Sequence, residues 1–122
     1  MSDRTFAIGD KAKELMTSVF DMTTSRNHYP VKFKRLSDKL QECALNIHSC
    51  ATDANGIVAN SPSRKDRKYD LQTSVVSNCD KLMSYIEYSL HAKLISGATC
   101  EKWTGLVKDI KFMTLSWRSK NI

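Results

Sequence analysis

From Phe33 to Val58, apolar residues return every three or four positions: Phe33, Leu36, Leu40, Cys43, Ala44, Ile47, Ala51, Ala54 and Val58. A period near 3.6 puts that set on one side of a helix and leaves the rest to water. No other segment of the chain repeats so cleanly. It predicts a helix (helix two) from about Pro30 to about Ala59. Proline suits the first helical turn, where its missing N–H is no loss. Asn55 and Gly56 should weaken the last one.

Three further segments carry the same period. Helix one is predicted from about Thr5 to Thr24, with Ile8, Ala12, Leu15, Met16, Val19 and Phe20 on its inner face. It must end before Pro30, which biases Tyr29 away from helical geometry. Asn60-Ser61-Pro62-Ser63 is the strongest loop signal. Helix three should follow from about Pro62 to Lys93, capped by Ser61, or alternatively started by Ser63 with Asp66. Its stripe is Leu71, Val75, Cys79, Leu82, Ile86 and Leu90, flanked by Val76, Met83 and Tyr88. Ser96 is the expected cap of helix four, about Gly97 to Arg118, with Trp103, Val107, Ile110, Thr114 and Trp117 inward. Arg118-Ser119-Lys120-Asn121 is expected to fray.

Four amphipathic segments with short connections predict an all-α protein: an antiparallel, up-down-up-down four-helix bundle, with residues 1–122 forming one domain. Only 4 glycines and 2 prolines punctuate 122 residues. A chain of many short strands would need more turn residues than that.

The first ten residues carry one basic side chain and no apolar run, unlike a secretory leader. The expectation is a soluble, cytoplasmic protein with Cys43, Cys50, Cys79 and Cys100 reduced. No stretch approaches the roughly 18 apolar residues that span a bilayer.

The sequence carries no recognisable catalytic pattern. The scattered glycines form neither a phosphate cradle nor a dinucleotide fingerprint. Cys43 and Cys50 lie seven apart on one helical face, but His48 points elsewhere, so buried structural thiols fit better than a zinc site. Glu87 and His91 have the spacing of a surface i,i+4 pair. No metal, cofactor or catalytic residue is expected.

Charge is more informative. Lys+Arg 19 against Asp+Glu 13 gives +6, a balance that favours polyanions. One cluster, Lys32, Lys34, Arg35 and Lys39, opens helix two, where cations oppose the helix dipole. Such a placement serves a partner or a pairing with acids of another helix, and phosphate would suit it. A second, Arg64, Lys65, Arg67 and Lys68, opens helix three, and in an up-down bundle the two lie at opposite ends. Helix four adds Lys102, Lys108 and Lys111, with Arg118 and Lys120 behind. The plain alternative is a solvated charged face.

The stretch Tyr29-Pro30-Val31-Lys32-Phe33-Lys34-Arg35-Leu36, continued by Leu40-Gln41-Glu42-Cys43-Ala44-Leu45-Asn46-Ile47, resembles helix two of a known four-helix-bundle family. That family joins the accessory variability determinant of diversity-generating retroelements to the proteins encoded within intervening sequences of bacterial 23S ribosomal RNA genes. Leu94-Ile95-Ser96 through Trp103 and Ile110 to Ser116-Trp117 is similar to the family's closing helix. Members often place a glycine pair before that tryptophan, where this chain has Leu115-Ser116.

The resemblance implies a homopentameric ring with a basic surface. It also implies an accessory role in binding a reverse transcriptase and template RNA or DNA. The other branch implies a structural or adaptor bundle, binding an acidic protein partner or ribosomal RNA. For nucleic-acid binding the charge clusters give the expected site residues, Lys32, Lys34, Arg35, Lys39, Arg64, Lys65, Arg67, Lys68, Lys108 and Lys111, touching phosphates without reading sequence. In the adaptor reading basic residues engage an acidic protein instead.

Overall fold

The computed structural model describes residues 6–120. Among them the chain forms a four-helix bundle without strands: α1 (Ala7–Thr23), α2 (Lys34–Asn55), α3 (Pro62–His91) and α4 (Gly97–Ser119). A 3-10 turn, Val31–Phe33, leads into α2. No helix among the described residues is long and apolar enough to cross a membrane.

Each helix buries the stripe that its sequence spacing defines. Ile8, Ala12, Leu15 and Val19 of α1 meet Leu40, Cys43, Ala44, Ile47 and Ala51 of α2 in the interior. Val75, Cys79, Leu82 and Ile86 of α3 join them, with Trp103, Val107 and Ile110 of α4. Burial of each large aliphatic side chain contributes about 1.5–3 kcal/mol. α1 packs on α2 and α4, and α3 packs on the same two helices from the other side. Polar contacts mark the registers. Asn46 reaches Asn78 and Cys50 reaches Ser74 between α2 and α3. Lys111 reaches Asp80 and Arg118 reaches Thr73 between α4 and α3. Lys11 reaches Asp109 and Trp103 reaches Ser18 between α1 and α4.

Several helix ends depart from expectation. Helix two does not begin at Pro30: the 3-10 turn intervenes and the α-helix starts at Lys34. It stops at Asn55 rather than near Ala59, and Val58 is 65% exposed in the following loop. Asn55 and Gly56, both poor helix formers, account for that early stop. Helix three ends at His91, and Leu90, placed by spacing on its stripe, is 40% exposed because it lies in the last turn, past the final core layer at Ile86 and Ser89.

α3 closes with a Schellman arrangement. Leu94 N–H donates to Ser89 O and Lys93 N–H to Leu90 O, with Lys93 at φ 63. Ser61 caps α3, accepting from Arg64 N at 3.3 Å with Pro62 in the first turn, so Ser63 is not the start. Ser96 caps α4, accepting from Thr99 N at 3.1 Å. α4 runs on to Ser119, so Arg118 and Ser119 belong to the helix rather than to a frayed tail. Thr5 and Asn121 lie outside the described residues.

At 30 residues α3 is the longest helix, about 45 Å at the helical rise. Its first buried residue is Gln72. The turns from Pro62 to Leu71 therefore run past the last core layer. Phe6 closes that end: its ring meets Trp117 edge-on with centroids 5.5 Å apart. Gly9 permits this, since a Cβ there would lie 2.5 Å from the Phe6 ring.

Candidate nucleic-acid interface

The first basic cluster follows from how the chain turns between α1 and α2. Tyr29 N–H donates to Ser25 O and closes the turn, and Pro30 continues it in extended geometry (φ −56, ψ 161). The Tyr29 ring is buried in the core. Burial raises its phenol pKa, a rise that Ser89, facing the hydroxyl, partly offsets; the two groups stand outside ordinary hydrogen-bond geometry. With Tyr29 anchored inward, Val31, Lys32, Lys34 and Arg35 emerge at the surface, while Phe33 packs half-buried against the core. Neither Pro30 nor Phe33 supplies a side-chain cap, and no acid occupies the first turn of α2.

The structure divides this cluster. Lys34 Nζ lies 2.8 Å from Asp38 and Lys39 Nζ lies 3.3 Å from Glu42, so both lysines pair with acids of their own helix rather than another's. All four side chains are at least half exposed. Pairs of this kind contribute a few tenths of a kcal/mol, little enough for a phosphate to displace the acid. Lys32 lies 5.4 Å from the Phe33 ring. Arg35 is exposed and makes no hydrogen bond or ion pair among the described residues.

The second cluster surrounds the Ser61-capped start of α3. Arg64, Lys65 and Arg67 are exposed and have no such partners among the described residues. Lys68 differs: half-buried, it donates to Ile57 O at 3.4 Å and lies 5.5 Å over the Trp117 ring. It seals the end of the bundle. Arg118, from α4, reaches the same place. Its Nη1 donates to Thr73 Oγ1 at 2.9 Å and its Cζ sits 4.8 Å from the centre of the Tyr69 ring.

Lys108 and Lys102 are exposed on α4. Lys111 is not available in the same way, because a 2.7 Å bridge to Asp80 ties α4 to α3. The two basic ends are far apart. Tyr29 stands by Ser89 and the second cluster by Lys68, and these positions on α3 are separated by roughly 30 Å of helical rise. Tyr69 is the feature that sequence reading passed over. A lone tyrosine beside Asp70 in a polar stretch carries no periodic signal, and only the fold brings Arg118 to it.

Cys43 and Cys79 are buried, and burial raises both thiols, Cys79 to about 12. Cys50 is half-buried, with Sγ 3.5 Å from Ser74 Oγ. No group of three or more His, Cys, Asp or Glu side chains among the described residues converges as a metal site would. Glu87 and His91 are exposed, and the His91 ring lies 6.5 Å from that of Tyr88. No family model, curated protein or solved structure matches the chain.

Proposed function

We propose that the protein is a non-catalytic accessory factor that binds the phosphate backbone of RNA or DNA through its two basic helix starts. One observation carries this reading: Arg35, Arg64, Lys65, Arg67 and Lys108 project into solvent without ion pairs among the described residues. Their charge is not spent inside the molecule. Cations at a helix start are also unfavourable for the helix itself, which supports an external anion as their partner.

The retroelement resemblance extends the proposal. The chain is a cytoplasmic accessory protein of a diversity-generating retroelement that binds a reverse transcriptase and its template. It is one domain that assembles into a ring-shaped homo-oligomer, a pentamer in that family. The bundle runs up-down-up-down. The contact order supports this, since Asn46–Asn78 and Cys50–Ser74 advance on α2 while retreating on α3. In a ring, each basic cluster is repeated, and repeated weak phosphate contacts gain through effective concentration.

Electrophoretic or anisotropy titration with RNA and DNA at several salt concentrations tests the phosphate contacts. Log affinity should fall linearly with log salt. Replacing Arg64, Lys65 and Arg67 with glutamine should weaken binding and flatten that slope by about one per contacting residue. No binding at low salt, or a slope unchanged by the substitutions, refutes the proposal. Native mass spectrometry reads the oligomer.

A second reading has its own support. A groove lined by Phe6, Ile8, Phe112 and Met113, with Lys120 at its edge, runs between α1 and α4, and Phe112 is 62% exposed. Such a surface suits an acidic protein partner with apolar side chains, as an adaptor bundle would use. Co-purification that survives nuclease treatment favours that reading.

A further inference from the structure

We infer that Tyr69 is a base-stacking platform, and that the first turns of α3 form a site for single-stranded rather than duplex nucleic acid. The inference rests on the nucleic-acid reading above and names the ligand class of one of its two clusters.

Tyr69 is 49% exposed in a stretch from Pro62 to Asp70 in which every side chain but the half-buried Lys68 is exposed. Its ring is not simply loose in water. The Arg118 guanidinium lies 4.8 Å from the ring centre and is pinned by the 2.9 Å hydrogen bond to Thr73 Oγ1. A cation held against the ring steadies it, while half of its surface stays open. Lys65 is one turn earlier on the same helical face and exposed. Arg64 and Arg67 flank it. Asp66 and Asp70 are the acids of this arm, and Arg64, Lys65, Arg67, Lys68 and Arg118 outnumber them.

The other rings do not offer this combination. Phe112 is more exposed but has no cation against it among the described residues, and Tyr88 neighbours Glu87 and His91. The Phe33 ring, under Lys32, is half-buried. Trp117 is packed against Phe6 and under Lys68. A flat ring bordered by cations is how strand-tracking proteins hold nucleic acid without reading it: bases stack on the aromatic face and phosphates follow the lysines and arginines. A duplex keeps its bases stacked on one another, so it can use the cations but not the ring. Strand preference follows from that difference.

Fluorescence anisotropy with a labelled oligo-dT strand and with a labelled duplex of equal length, at low salt, separates the possibilities. Tyr69→Leu keeps the helix and an apolar side chain. It should weaken single-strand binding about ten-fold, leave duplex binding within two-fold, and leave the single-strand salt slope unchanged. Tyr69→Phe should bind as the parent does. Tyr69→Trp should also bind, and its indole fluorescence should be quenched by oligo-dT. Equal losses for strand and duplex in Tyr69→Leu, no loss in either, or an unquenched Tyr69→Trp indole overturns the inference and leaves the phosphate reading standing. Binding of neither probe by the parent protein removes both.

Discussion

Trp103 Nε1 donates a 2.9 Å hydrogen bond to Ser18 Oγ across the α1–α4 contact. The indole is fully buried, so its one polar atom depends on that serine. Ser18→Ala strands a buried donor and should cost about 1–3 kcal/mol, read from urea midpoints. In a Trp103→Phe background the donor is gone, and Ser18→Ala should cost far less. Equal costs in both backgrounds would show the bond to be energetically idle.

Gln72 sits at the end of the core nearest the α3 arm, fully buried, and neither its Oε1 nor its Nε2 has a partner among the described residues. An amide buried without hydrogen bonds is destabilising by about 1–3 kcal/mol. Gln72→Met keeps the side-chain length and removes both polar atoms. It should raise the unfolding midpoint. A lower midpoint would mean that the amide is satisfied after all.

The buried thiols set a pH limit on stability. Cys79 is pushed up to about 12 by burial, chiefly, and by Asp80, from an ordinary 9.0. Between those values the unfolded chain releases a proton that the folded chain retains. Unfolding is then favoured as pH rises, by at most about 1.4 kcal/mol per pH unit for one thiol. Below pH 9 this contribution to stability is fully present. Cys43 acts in the same direction from 9.0, and Tyr29 from 10.0. Urea midpoints should fall from pH 8 to pH 10, and less steeply in Cys79→Ala than in the parent. Parallel slopes would contradict the assignment.

Lys93 occupies the left-handed position of the Schellman turn, at φ 63. A side chain there carries a steric cost of about 1–2 kcal/mol that glycine avoids. Glycine also gains freedom in the unfolded chain, which offsets part of the benefit. Lys93→Gly should still raise the midpoint of thermal unfolding. A lower midpoint would show that Lys93 makes contacts worth more than the strain.

Much of the fold was legible because burial follows spacing: Leu40, Ile47, Val75, Leu82 and Ile110 are fully buried where the period put them. Two caps were also legible, because Ser61-Pro62 and Ser96-Gly97 carry their chemistry locally. The end of α3 was not. The residue that turns the chain there is a lysine, and the usual glycine signal is missing. The charged residues were visible, but their commitments were not. Nothing in the sequence distinguishes Lys111, held by Asp80 thirty-one residues away, from Lys108, which is free among the described residues. Tyr69 and Arg118 stand 49 positions apart in the chain, so no short-range pattern could join them.

The stretch of α3 from Pro62 to Asp70 is tied to the rest of the bundle through Lys68 over Trp117 and the Tyr69–Arg118 contact. Its other side chains can be exchanged without asking the core to repack. Substitutions in that arm are therefore largely uncoupled from the packing that constrains the rest of the sequence.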